Sequence, residues 1–216
     1  MNNSNDGIFR IDTSDALNLN ASAPEIQSIN IFALVPEDHP ILSSVIPLFD
    51  FGCCQVNPSE FASTLVETCK DNKGVVLSAN QCGFSHRVFV MGFGDNYVAF
   101  FNPVVISMSS DESIMIEGCL SFPLLGLRIN RPTNIKVSYQ DYFGEEHTTD
   151  ITGFSARMFL HGLDSLNGIT FIHRAKPLAL KSGIKKTEKI LKKMMGQYRL
   201  TEKSSEEKML DNIDCV

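Results

Sequence analysis

At Gly153 the hydrophobic period of the chain changes. Before it lie five short β-rich runs: "HRVFVMGF", "NYVAFFNPVVISM", "SIMIEGCLSF", "LRINRPTNIKVSYQDYFG" and "EEHTTDITG". In "NIKVSYQD", Ile135, Val137 and Tyr139 alternate with Lys136 and Ser138, the pattern of a half-buried strand. "DYFGEEH" supplies a turn, with Gly144 at the bend. After Gly153, "FSARMFLHGLDSLNG" reads as a helix, and Met158, His161, Leu163 and Leu166 do not fit on one face. Such a helix is expected to be buried on most of its sides.

Upstream, "SINIFALVPEDHPIL" combines a short strand-like run with a proline-marked turn. "NPSEFASTLVETCKDNKG" reads as a helix capped by Ser59, with Phe61, Leu65, Val66 and Cys69 as its apolar stripe and Gly74 beyond its end. Residues 1–28 are rich in Asn, Ser and Asp and are expected to be a flexible tail. Residues 29–196 make the folded domain, and 197–216 an acidic flexible tail. The segment "KKTEKILKKMM" is a basic helix candidate, with Ile190, Leu191 and Met194 expected to pack inward. A contact with acidic RNA is the competing use of that helix.

At 216 residues with 43% hydrophobic and 20% charged content, one globular domain is expected. A formal net charge of -6 gives no support to a nucleic-acid binder driven by phosphate contacts. None of the six cysteines forms a CxxC pair, so a zinc knuckle is not expected. The first residues carry neither a basic segment nor an apolar run, and no apolar stretch reaches the length of a membrane span. The expectation is a cytoplasmic protein with free thiols.

Three stretches carry chemistry. "GVVLSANQCG" is a glycine-bounded loop able to present backbone amides and the Gln81 amide to a ligand; its plainer reading is a turn entering a strand. "EGCLSFP" places Cys119 after Gly118 in a strand-like run, where a glycine marks a bulge or close approach. A lone Cys is more often a small buried hydrophobe. In "HGLDS", His161 and Ser165 stand four residues apart, the spacing that lets two side chains share a helix face. By itself His161 reads as a packed histidine.

In this order and with these gaps, the three stretches resemble the signature motifs of the peptide deformylases: G-x-G-L-[AS]-A-x-Q, E-G-C-L-S and H-E-x-D-H. "ALVPEDHPIL", "RVFVM", "FNPVV", "CLSFPLLGLRINRP" and "ARMFLHGLDSLNGITF" extend the likeness from Ile29 to Lys193. The resemblance implies an α+β fold, with short mixed or antiparallel strands around a central helix that carries His161. It implies removal of the formyl group from the initiator methionine of nascent polypeptides, as part of protein biosynthesis. It further implies Fe²⁺, or Ni²⁺ or Zn²⁺ in its place, held by one Cys and two His. Cys119 and His161 match metal ligands. Gln81 and the Leu120 amide match the oxyanion donors, and Glu117 and Asp164 match supporting positions. Gly74, Val75, Val76, Glu117, Phe154 and Met158 are the expected substrate-binding residues.

The third motif departs from the pattern. Gly162 stands where the family has its catalytic Glu, Ser165 where it has the second His, and Val76 where it has a glycine. Low or absent metal occupancy and lost or strongly reduced hydrolysis are therefore expected. His173, in a strand-like run, and His39, His86 and His147 are not expected to replace the missing ligand. Two other readings stay open. One is an active deformylase with an unusual metal site. The other is a non-catalytic protein that binds N-formylmethionyl peptides or touches the ribosome through Lys185–Lys193, in the cytoplasm or in an organelle with bacterial-type translation.

Overall fold

The computed structural model describes residues 31–53 and 56–211, with side chains to Tyr198. The expected N-terminal tail lies outside them. Helix α1 spans Pro58–Asp71. Strands β1 (Val76–Ser78), β2 (Val88–Phe93), β3 (Asn96–Met108), β4 (Glu112–Cys119), β5 (Phe122–Pro132), β6 (Asn134–Gln140) and β7 (Glu146–Thr152) follow. Three helices complete the described residues: α2 (Gly153–Leu166), α3 (Phe171–Arg174) and α4 (Pro177–Asp211). Five strands form one sheet in the order β1-β2-β3-β6-β7, and β4 pairs with β5 as a separate hairpin. Every pairing is antiparallel.

The five-stranded sheet is covered on both faces, so β2 reads as a continuous apolar run. Successive side chains point to opposite sides of a strand. Val88 and Val90 pack with Phe61, Leu65 and Cys69 of α1. Phe89 and Met91 pack with Met158, Phe159 and Leu163 of α2. A fully buried side chain of this size contributes ~1.5–3 kcal/mol. α2 is thus enclosed on most sides, as its all-round apolar pattern requires. Gly153, at φ +59°, lets the chain turn from β7 into α2, and its N–H donates to the Thr133 carbonyl at 2.7 Å.

Several local expectations are corrected. The cap of α1 is Asn57, whose side chain accepts from the Ser59 and Glu60 amides; Ser59 cannot serve because Pro58 already occupies the first helical position. Residues 31–36 are not a strand; the segment runs irregularly, and the Val35 amide donates to the Gln81 carbonyl. The run around His173 is the one-turn helix α3, not a strand. Helix α4 runs past 196 to Asp211. Its early turns rest on the hairpin at Gly183, where an added Cβ would lie 2.4 Å from a Leu127 methyl. Farther on, Ile190 is only half-buried, and Leu191 and Met194 are about half exposed rather than packed inward. No described helix is long and apolar enough to cross a membrane.

Candidate active site

β4 loses register with β5 after Glu117, so that Cys119 pairs with Phe122. A bulge of this kind re-aims the side chain that follows it. Here it brings the Cys119 thiol toward His161 of α2 and Gln81 of the turn Ala79–Cys82. The Ser78 amide donates to Gln81 Oε1 at 2.9 Å. That bond fixes the amide's orientation, because only the oxygen accepts. Gln81 Nε2 therefore faces Ser121 Oγ at 3.0 Å and Cys119 Sγ at 3.4 Å.

His161 is held from behind. Its Nδ1 donates to Glu117 Oε2 at 3.1 Å, and its ring also hydrogen-bonds the Cys119 thiol. Glu117 accepts a forked pair from Arg131, at 2.7 and 3.0 Å, and a bond from Arg157 Nη1. Arg131 continues to Asp164 at 2.8 Å, and Asp164 also accepts from Arg174. Glu117, Arg131, Arg157 and Asp164 are all buried. Buried charges are tolerable only when paired and hydrogen-bonded, and each of these is paired, with only Arg157 Nε left without a hydrogen-bond partner. The three arginines are absent from any reading of the motifs. Their signal in the sequence was indirect: two carboxylates destined for the interior need cations, and Arg157 sits in an otherwise apolar helix.

The electrostatics follow from this pairing. Burial alone would raise the Glu117 carboxyl, but hydrogen bonds and charge from His161 and Arg131 bring it down to about 2. Burial would lower His161, but its bonds to Cys119 and Glu117 raise it to about 9. Burial would raise Cys119, yet the His161 and Ser121 contacts hold it below the usual thiol range. Burial pushes the Cys69 and Cys82 thiols up to about 12, Cys69 despite a hydrogen bond with Tyr97.

A cleft of about 690 Å³ opens onto this group. Cys119, Leu120 and His161 line it, and so do Gly74, Val75, Val76, Glu117, Phe154 and Met158. All the expected substrate-binding residues are thus gathered on one cavity. Gln81 stands behind Cys119, buried. Gly162 and Ser165 do not line the cleft; their carbonyls accept from Ser78 Oγ and Asn80 Nδ2. The other histidines are engaged elsewhere. His39 caps a one-turn helix, His86 stacks among Phe49, Phe61 and Phe84, His147 pairs with Asp141, and His173 with Thr170.

Comparisons with known proteins agree with this architecture. The sequence profile of the family described as Polypeptide deformylase matches residues 31–181. The peptide deformylase of Thermotoga neapolitana is 42% identical over 113 residues, covering 52% of this chain and 69% of that protein. The crystal structure of peptide deformylase from Thermotoga maritima superimposes with a TM-score of 0.65 at 33% identity, over 68% of this chain and 99% of that one. A Met-Ala-Ser-bound deformylase from Acinetobacter baumannii gives a TM-score of 0.64 at 28% identity, over 67% and 98% of the two chains. This chain belongs to the peptide deformylase family of metal hydrolases.

A divalent metal is expected of that family, and the donors present do not fit a three-donor centre. Cys119 and His161 face each other, but a serine stands at the third position. A neutral hydroxyl is a weak donor for a transition metal, and three or four protein ligands are the rule. Among the described residues, the His, Cys and carboxylate groups close enough to share an ion are Asp141, Glu145 and His147, at the β6–β7 turn and not in the cleft.

Proposed function

We propose that this protein keeps the peptide-receiving cleft of a deformylase and has lost most or all of its hydrolytic chemistry. The observation that carries this reading is the pairing of Cys119 with His161 on the cleft wall without a third donor, beside a glycine that has no group to move a proton. The cleft supports the other half of the reading. β1 is an edge strand of the sheet, and Val76 at its start lines the cavity. An extended peptide can add to such an edge by backbone pairing. Val75, Leu120 and Met158 supply apolar surface for a methionine side chain. The Leu120 amide would polarise a carbonyl oxygen placed next to Cys119, with Gln81 joining it only if its Nε2 turns away from Ser121 and Cys119, and the Glu117–Arg131–Asp164 network holds His161 rigid. Val76 narrows the entry where the family has a glycine.

Turnover of a formyl-Met-Ala peptide is expected at the level of a Cys119→Ala control, while calorimetry detects binding of formylated or free methionyl peptide. Hydrolysis well above the control would refute the loss of chemistry. No heat at millimolar peptide would refute the retained pocket.

Helix α4 favours a second, compatible use. Lys185, Lys186, Lys189, Lys192 and Lys193 are exposed on it, and half-exposed Leu191 and Met194 lie among them. Ribosome contact through this helix predicts salt-sensitive co-sedimentation that is lost when the five lysines are changed to Glu. Co-sedimentation that survives those changes would exclude this helix as the contact.

A further inference from the structure

Gly162 faces Phe89 of β2 across the core. A Cβ built on Gly162 would lie 2.8 Å from Phe89 Cγ, 2.7 Å from Cδ2 and 3.0 Å from Cε2. Cγ is the near end of the ring, so rotation about χ2 leaves it in place. The ring has nowhere to retreat as a whole. Phe89 is fully buried and packs against Phe100 and Phe159, each with a ring-centroid separation of 5.1 or 5.2 Å within the trio.

We infer that Phe89 closes the face of α2 at position 162 to any side chain, so that the departure from the metal-hydrolase constellation is built into the aromatic core of the protein. The inference deepens the proposed function, and its functional consequence rests on that reading: the space a catalytic carboxylate would need is filled by a phenyl ring. An aromatic in van der Waals contact with a glycine is a packed pair. Loss of a side chain at 162 without adjustment would instead leave a void beside the helix. The pair also positions α2 against β2 two residues from Leu160 and one from His161, on the stretch that meets Glu117.

The packing can be tested without reference to activity. Replacing a mid-helix glycine by alanine ordinarily stabilises a protein. Here Gly162→Ala is expected to lower the thermal midpoint by roughly 2–6 °C, because overpacking a rigid core outweighs the helix gain. In a Phe89→Val background the same change is expected to raise the midpoint, a sign reversal that assigns the clash to Phe89. If Phe89→Val alone does not fold, the double variant is expected to regain folding. A Gly162→Ala protein as stable as the parent, or more so, would overturn the inference. So would a loss that persists unchanged without the ring, or a double variant that fails to fold. Because the readout is stability, a surviving deformylase activity would refute the proposed function without touching this result.

Discussion

A variant carrying Gly162→Glu, Ser165→His and Phe89→Val is expected to bind about one divalent metal per chain and to cleave formyl-methionyl peptide. The same two polar changes with Phe89 intact are expected to give a destabilised protein without metal. His161 and a histidine at 165 would share one face of α2, and Cys119 already arrives from the bulged strand. A carboxylate at 162 would restore the proton-transfer group, which is typically worth ~100- to 10,000-fold in rate. It reaches its place only when the ring leaves, since even a Cβ meets Phe89 Cγ at 2.8 Å. Either polar change without the other should accomplish little, because the two serve a single mechanism and their effects do not add. Elemental analysis and a deformylase assay on the triple variant, the double variant that keeps Phe89 and the two single polar changes decide the matter. Full metal binding by the variant that retains Phe89 would sink the packing argument. A folded triple variant without metal would show that the site has drifted beyond these positions, and Val76 would be the next position to change.

The second large effect lies in the buried charge network. Glu117→Ala is expected to cost about 3–5 kcal/mol, because it leaves Arg131, Arg157 and His161 without their shared carboxylate in the interior. For a domain of this size that is a fall of roughly 6–20 °C in thermal midpoint. The loss should be nearly independent of salt, since the pairs are shielded from solvent. Removing Glu67 from its partly exposed pair with Lys70 should change stability by less than ~1 kcal/mol. A Glu117→Ala protein within 1 kcal/mol of the parent in urea denaturation would mean that water or rearrangement replaces the carboxylate. The effect does not depend on catalysis. Glu117 and Asp164 hold β4, β5, α2 and the end of α3 together whether or not the site turns over, so their presence is no evidence of activity.

Much of this architecture was legible from periodicity. The stripe of Phe61, Leu65, Val66 and Cys69 marked α1, and the alternation in "NIKVSYQD" marked β6. The all-round apolar pattern after Gly153 marked α2 as enclosed, because side-chain period and burial are local consequences of backbone geometry. Local signals misled where tertiary contacts outweighed propensity. The run near Phe32 reads as strand but packs irregularly against Phe61 and Phe84. The run at Phe171 reads as strand but turns once as a helix under the hairpin.

The same division runs through the site. Cys119, His161 and Gln81 were found from motif spacing, and the absence of a carboxylate at 162 and an imidazole at 165 is a fact of the sequence alone. That Arg131, Arg157 and Arg174 neutralise Glu117 and Asp164 was decided only by tertiary structure. These residues come from strands and helices 14 to 40 positions away from Glu117 or 10 to 33 from Asp164, and no local pattern encodes such a meeting. Phe89 is the clearest case. In "RVFVM" it is one apolar residue of a strand, with nothing to set it apart from Val88 or Val90. The pleat of β2 sends it alone of the three toward α2, and the crossing of helix and sheet then sets its ring against Gly162, so that the glycine is a requirement of the core as well as a gap in the motif.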